Sequence, residues 1–416
     1  MQTKKSHWPS LLILIVLGLS VACVVLITLG LGVNSTIDLF KDSGNDPAGQ
    51  MISAFAFGFV AILLLICSWF VLQKTMGREQ ADRPFKISFA NWQIFAVMVM
   101  VTVSAVIGGV IAYTKITWLA WIILPVLTIL VIVPPIWVLF GIGTNKIELG
   151  PRWRVFGILG LSLTIGPLIM IVLEIVLLLG IAIVGAVIVA IQQPALFQEI
   201  LRLGRLIRQD ANTEMSLKLL APYISSPVVI AIVLGYIALL VPMIEELLKP
   251  LAVWLFARQI ESPAQGFAMG LLSGAAFALV ESLNASGDGS TSWPAIVSIR
   301  TLTSLLHMMA SGLVGWGIVS AFHEKRIMRF VAAYFSAVAI HGLWNACAVG
   351  AGLSTVGEFI GKPEWLFSII PAVISGMLVL ASGMFFVLIA SNRRLQNSPT
   401  DPLPVLQVQT EDERVQ

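Results

Sequence analysis

The sequence predicts an all-α, polytopic transmembrane helix bundle of about ten spans with both termini in the cytoplasm. Hydrophobic residues make up 58% of the chain and charged residues 11%, less than half of the roughly 25% that is usual in soluble domains. Several apolar stretches exceed the roughly 20 residues that a helix needs to cross a bilayer. These features predict a multi-pass protein of the cell membrane with lipid as a partner. A net charge of +3 gives no support to a nucleic-acid partner.

Helix is the expected state of each apolar stretch because backbone groups in lipid must be paired within the segment. The predicted spans are about 9–33, 51–73, 93–113, 117–143, 156–191, 228–257, 264–285, 294–322, 330–352 and 365–391.

The distribution of basic residues predicts the orientation. They fall at the N-terminus and after the second, fourth, sixth, eighth and tenth spans, as Lys4, Lys5, Lys74, Arg78, Arg83, Lys86, Lys146, Arg152, Arg154, Arg258, Lys325, Arg326, Arg329, Arg393 and Arg394. With ten spans all of them lie on one side, which the positive-inside rule makes cytoplasmic.

Two segments need separate treatment. The stretch 156–191 is too long for one upright span and carries Glu174, so it is either one long tilted helix or a helix plus a re-entrant piece. Residues 192–227 then lie outside the cytoplasm. Apolar and polar residues alternate there with a helical period, which predicts an amphipathic helix on the outer membrane surface; a cap packed over the bundle is the open alternative.

Buried polar chemistry concentrates in the second half of the chain and suggests a domain organisation. We expect an N-terminal membrane scaffold of about five spans (1–191), the amphipathic segment (192–227), a catalytic helix bundle (228–391) and a disordered cytoplasmic tail (392–416).

The sixth span carries charged residues near its middle, where each costs roughly 2.5–3.5 kcal/mol to insert. Glu245 and Lys249 are four residues apart and share a helical face, so they can pair, while Glu246 either points elsewhere or shares the lysine at a spacing of three. Two adjacent carboxylates in a low dielectric do not both ionise readily without a cation. Pro242 and Pro250 flank the pair and can kink the helix.

The next three spans add further polar residues. In the seventh, Gly266, Gly270 and Gly274 form a small-residue stripe that lets a neighbouring helix approach, and Glu281 prolongs that face, with Asn284 one turn further on. His307 lies near the middle of the eighth span and His341 near the middle of the ninth, where Asn345 shares its face. Residue counting puts Glu245, Glu246, His307 and His341 within about 5 Å of their spans' midpoints. Four ionisable groups at one depth predict a common site.

Other interpretations remain open at this point. A single intramembrane histidine, or one Glu–Lys pair, is often structural. Carboxylates and histidines also line transport paths, so a proton- or ion-coupled transporter is the main alternative. A catalytically inactive membrane scaffold is the third.

The order of these residues resembles the PrsW family of intramembrane proteases, which is related to the CAAX-protease and bacteriocin-processing group. An EExxK sequence (Glu245 to Lys249) is followed by FAxxxE (Phe277 to Glu281), a mid-helix histidine (His307) and HxxWN (His341 to Asn345). The resemblance covers about residues 240–350. It departs at the second sequence, where Ser282 follows the glutamate in place of the family's asparagine.

The resemblance implies an endopeptidase that hydrolyses a peptide bond of a membrane-anchored protein or peptide, such as an anti-sigma factor in regulated proteolysis. It implies Glu245, Glu246, His307, His341 and Asn345 as catalytic residues, with Lys249, Glu281 and Asn284 in support. With Zn²⁺ or another divalent metal, His307, His341 and Glu281 would bind the ion and another glutamate would activate water.

A metal-free mechanism is equally open. Glu245 or Glu246 would deprotonate water, and His307 or His341 with Asn345 would stabilise the oxyanion. The chain contains no HExxH sequence, so any metal ligands come from separate helices.

Overall fold

The structure, a computed structural model, describes residues 7–41, 45–87, 90–209, 213–224, 226–360 and 368–396. These residues form helices, and ten of the helices are long and apolar enough to cross a membrane. The ten spans are Trp8–Phe40, Pro47–Thr75, Asn91–Thr114, Thr117–Gly143, Arg152–Gln192, Pro227–Phe256, Pro263–Ala285, Trp293–His323, Ile327–Ser354 and Ile370–Gln396. The predicted all-α, multi-pass architecture is confirmed.

Span boundaries differ from the prediction mainly at helix ends. The first span continues to Phe40, and the helix of the ninth span runs on to Ile360. The tenth span reaches Gln396, with Arg393 and Arg394 in its last turn, so residues 392–396 of the predicted tail are helical. Residues 397–416 lie outside the described part of the chain. The orientation of the termini stays a prediction.

The fifth span is divided at Thr164, whose backbone leaves the helical region (φ −123°, ψ −78°). Its first piece, Arg152–Leu163, is buried almost throughout against the second and seventh spans. The second piece, Ile165–Gln192, buries only Gly166, Pro167 and Met170 among its residues. Such an apolar and exposed helix is suited to face lipid.

The amphipathic segment forms two helices, Pro194–Gln209 and Thr213–Ile224. The first buries none of its residues, and the apolar side chains of Ile200, Leu201 and Leu206 are exposed. Leu196, Phe197, Leu203 and Ile207 are half-buried, so the choice between a helix on the membrane surface and a cap packed on the bundle stays a prediction.

The seventh and eighth spans make the most extensive helix contact and form the centre of the bundle. The glycine stripe lies at this contact, as predicted. A Cβ on Gly274 would overlap the carbonyl oxygen of His307, and one on Gly270 would overlap that of Ser311. The missing side chains therefore let the two backbones approach closely, which fixes the position of His307.

The N-terminal spans pack directly on this centre. The fourth span contacts the second, third, seventh and eighth. Arg154, in the buried piece of the fifth span, donates hydrogen bonds to Gln265 at 2.7 Å and to the carbonyl oxygen of Gln259. Arg154 is itself buried, an exception to the concentration of polar chemistry in the second half. The division into scaffold and catalytic bundle remains a prediction.

Candidate active site

The sixth span is an interrupted helix, and the interruptions place its acidic pair. A regular helix over Pro227–Leu234 passes into a π-helical turn at Gly235–Leu240 and returns to α-helix at Val241–Leu248. The helix breaks again at Pro250 before Leu251–Phe256. The predicted distortions at the prolines are therefore present, since proline lacks the N–H that continues the helix.

Lys249 pairs with both glutamates of the sixth span. Its Nζ lies 2.7 Å from Oε1 of Glu246 and 2.8 Å from Oε2 of Glu245. Lys249 therefore pairs simultaneously with the glutamate four residues before it and with the one three residues before it. The side chains of Lys249 and Glu246 are fully buried, whereas that of Glu245 is 12% exposed. Glu245 therefore has the more exposed side chain of the pair.

The two central histidines approach the acidic pair from neighbouring spans. His341 Nδ1 lies 2.8 Å from Oε1 of Glu246, and its Nε2 lies 3.8 Å from Oε2 of Glu245. His307 Nδ1 lies 2.8 Å from Nζ of Lys249. Both imidazoles are buried, with ring centroids 5.2 Å apart. The sixth, eighth and ninth spans thus bring their ionisable groups into one cluster.

Lys249 lies at the centre of this cluster. Besides the two carboxylates and His307, its Nζ is 3.4 Å from Nδ1 of His341. It also lies 4.5 Å from the ring centroid of Phe277, a distance suited to a cation–π contact. The ammonium group therefore contacts all four polar side chains. The sequence predicted its pairing with Glu245 but gave no sign of its reach to the histidines.

Glu281 approaches His307 from the opposite side of the ring. Its Oε2 lies 2.6 Å from Nε2 of His307, and its Oε1 pairs with Arg300 at 2.7 Å. An ammonium group can only donate, so a charged Lys249 requires Nδ1 of His307 to accept and Nε2 to carry the proton that faces Glu281. A carboxylate in this position fixes the tautomer and orientation of an imidazole.

The two asparagines occupy places other than the cluster. The amide of Asn345 donates to the carbonyl oxygen of Ile237 at 3.0 Å, within the π-helical turn. Asn284 donates to Val280 of its own helix at 2.8 Å and is exposed. Neither amide contacts a glutamate or histidine of the cluster in the bonds that the structure records. Residue spacing predicted the helical face on which each asparagine lies. It did not predict how each helix is rotated about its own axis relative to its neighbours.

Glu174 is a nearby residue to which the sequence gave no role in the site. It lies on the exposed piece of the fifth span, which packs against the helix Val241–Leu248 that carries the acidic pair. Its carbonyl oxygen accepts a hydrogen bond from Tyr236 of the π-helical turn at 2.9 Å. An acidic residue within an otherwise apolar span was the feature that could have indicated a role. Its separation in sequence from the other motifs gave no reason to place it near them.

The cluster has the composition of a metal site. One ligand atom from each of Glu245, Glu246, His307 and His341 can be chosen so that all four lie within 4.8 Å of one another. Carboxylate oxygens and imidazole nitrogens are ordinary zinc ligands. Glu281 is not a member of this group, because it bonds to the far nitrogen of His307. The ligand set His307, His341 and Glu281 that the resemblance implies stays a prediction, and the group that converges here contains Glu245 and Glu246 but not Glu281.

Comparison with protein families agrees with the geometry. The family described as PrsW family intramembrane metalloprotease matches residues 171–381, just over half of the chain. The chain belongs to the PrsW family. Comparisons with curated proteins and with solved structures returned no match. The matched region contains all four members of the cluster, together with Lys249 and Glu281, as well as Glu174 on the fifth span.

The position at which this chain departs from the PrsW sequence pattern lies beside the Glu281–Arg300 pair. Ser282 is buried, and its hydroxyl lies 3.4 Å from the carbonyl oxygen of Arg300. Glu281 keeps its contacts to His307 and Arg300 with serine at this position.

Proposed function

We propose that this protein is an intramembrane endopeptidase that hydrolyses a peptide bond of a membrane-anchored protein or peptide. The observation that carries the proposal is the convergence of two carboxylates and two imidazoles from three spans within 4.8 Å. Buried ionisable groups in a membrane are costly and are kept where they serve chemistry. Membership of the PrsW family supports the same reaction class, and an anti-sigma-factor-like regulator is the substrate that the family resemblance favours.

In the proposed reaction Glu245 is the general base. It has the more exposed side chain of the acidic pair, and its Oε2 contacts Lys249 at 2.8 Å and His341 at the longer distance of 3.8 Å. Glu245 would take a proton from water as the water oxygen attacks the carbonyl carbon, and would give that proton to the leaving amine. Glu246 is held by Lys249 and His341, so its role would be to orient them.

The oxyanion that forms on the substrate carbonyl needs positive charge or hydrogen-bond donors nearby. Lys249 lies at the centre of the cluster, and His341 lies within 3.8 Å of Glu245. These groups are placed beside the proposed base, so an oxyanion formed there would lie within their reach. Glu281 would keep His307 in the orientation that its contact with Lys249 requires.

A divalent metal would fit the same cluster. Glu246, His307 and His341 would hold it, which matches the catalytic pattern of three protein ligands and one open position. When bound, such an ion polarises the carbonyl and makes water more acidic. The ammonium group of Lys249 contacts the same atoms, so we expect Lys249 and the metal to compete for one position.

A transporter would need polar groups spread across both leaflets. The four ionisable groups of the cluster instead lie within 4.8 Å of one another, which supports a hydrolase over a proton or ion path.

The proposal is tested with purified protein in liposomes and a panel of single-span reporter proteins. His307→Ala removes the imidazole that contacts Lys249 at 2.8 Å and is expected to lower the rate of cleavage by about 10²- to 10³-fold, the loss typical when stabilisation of an oxyanion is lost. His323→Ala is the matched control, because His323 lies at the exposed end of the same span and bonds to the carbonyl of Ala257. Equal cleavage by both variants would remove His307 from the site.

A further inference from the structure

The π-helical turn of the sixth span leaves one backbone carbonyl without a partner in its own helix. The N–H of Val241 bonds to the carbonyl of Tyr236, five residues earlier. With the same five-residue spacing, the carbonyl oxygen of Ile237 would accept a hydrogen bond from the N–H of residue 242. Residue 242 is proline, which has no N–H. An unpaired carbonyl inside a membrane protein costs several kcal/mol, so a donor from elsewhere is needed.

The ninth span supplies that donor. The side-chain amide of Asn345 donates to the carbonyl oxygen of Ile237 at 3.0 Å. Gly342, on the same span, lies so close that a Cβ there would overlap the carbonyl oxygen of Ala238. Tyr334 adds a third contact, from its hydroxyl to the carbonyl of Met243 at 2.9 Å. The ninth span therefore holds the sixth on both sides of Pro242.

The same face of the ninth span also binds the acidic pair. His341 is four residues before Asn345 and contacts Glu246 at 2.8 Å. A π-helical turn carries one residue more than an α-helix over the same rise, and one extra residue rotates the remainder of the helix by about 100°. The turn thus decides which way Glu245 and Glu246 point.

We propose that Asn345 is a positioning residue that acts through the carbonyl freed by Pro242, and that it does not bind the substrate oxyanion. Its amide stabilises the π-helical turn, and the turn holds Glu245 and Glu246 in the cluster. This inference rests on the proposed protease activity for its effect on rate, but its structural part is independent of that activity.

The pairing of Asn345 with Pro242 gives a test by second-site rescue. Asn345→Leu keeps the side-chain size and removes the donor, and is expected to lower kcat at least about 10-fold with KM changed less than about threefold. Pro242→Ala returns an N–H to residue 242, so the double variant is expected to recover to within about threefold of the wild type. A double variant as slow as Asn345→Leu alone would overturn the proposal and return Asn345 to direct catalysis.

Thermal unfolding in detergent supplies a readout that needs no substrate. Asn345→Leu is expected to lower Tm by about 2–4 °C, and Pro242→Ala is expected to restore most of that loss. Additive effects of the two substitutions on Tm would contradict the proposal even if activity behaves as expected. If the wild type cleaves no reporter, that result counts against the protease assignment. The unfolding measurements still test the link between Asn345 and Pro242, because they need no substrate.

Asn392→Leu is the matched control. Asn392 is a buried asparagine on the tenth span that donates to the carbonyls of Gly143 and Asn145, both at 2.9 Å. Its loss is expected to lower Tm by a similar amount, with kcat within about threefold of the wild type and no rescue by Pro242→Ala. A similar drop in kcat in this control would mean that Asn345→Leu acts through general destabilisation, which also overturns the proposal.

Discussion

Glu245→Gln is expected to lower kcat by about 10²- to 10⁴-fold, the range for loss of a general base, while leaving thermal unfolding nearly unchanged. The side chain of Glu245 is 12% exposed, and Lys249 keeps Glu246 as its partner when the charge on Glu245 is lost. Glutamine keeps the size and the hydrogen-bonding capacity of the side chain. The variant therefore removes a proton acceptor without opening a cavity.

Glu246→Gln is expected to behave differently and to lower both activity and stability. Glu246 is fully buried and receives both Lys249 and His341 on one oxygen. Removing one partner of a buried ion pair typically costs about 3–5 kcal/mol. Glu261→Gln is the control, because the side chain of Glu261 is 70% exposed. A stable and inactive Glu246→Gln variant together with an active Glu245→Gln variant would show that Glu246 is the general base and Glu245 the orienting residue.

Lys249→Met is expected to give the second large effect, a strong loss of stability in a chelating buffer. Methionine has a similar length but no charge, so the variant leaves Glu245 and Glu246 adjacent without the ammonium group that contacts both. We expect the free energy of unfolding to fall by about 3–5 kcal/mol. The measurement is the thermal midpoint in detergent with and without a chelator.

Added Zn²⁺ or Mn²⁺ is expected to restore much of that stability, because the ion takes the position that Lys249 leaves. A ligand that binds the folded state stabilises it in proportion to the logarithm of its concentration over Kd. The expected midpoint of Lys249→Met therefore rises with metal concentration more steeply than that of the wild type. Lys74→Met is the control, since Lys74 pairs with Asp82 at a partly exposed site, where an ion pair contributes little. A thermal midpoint of Lys249→Met that does not change with added metal would contradict the proposal that Lys249 and the metal occupy one position.

Hydropathy alone predicted the number of spans and most of their limits, because a bilayer imposes one length and one backbone state on each segment. The spacing of residues along a helix was sufficient to predict side-chain contacts within that helix. The pairing of Lys249 with Glu245 and Glu246 needs no knowledge of the neighbouring spans, and the distances bear it out.

Contacts between spans depend on how each helix is rotated about its axis, and the sequence does not show that rotation. The sequence therefore did not show that Glu281 bonds to Nε2 of His307, on the side of the ring away from Lys249. The sequence also gave no sign of the hydrogen bond from the Asn345 amide to the carbonyl of Ile237. That carbonyl belongs to the π-helical turn at Gly235–Leu240, which adds a residue without altering the apolar composition.

The most direct test of the proposed mechanism is cleavage of a single-span reporter by the purified protein in H₂¹⁸O, with mass analysis of the product. Hydrolysis by activated water places one ¹⁸O atom in the new carboxyl terminus. The mechanism predicts that label in products of the wild type and no product from Glu245→Gln under the same conditions. Unlabelled product, or labelled product formed equally well without the Glu245 carboxylate, would contradict it.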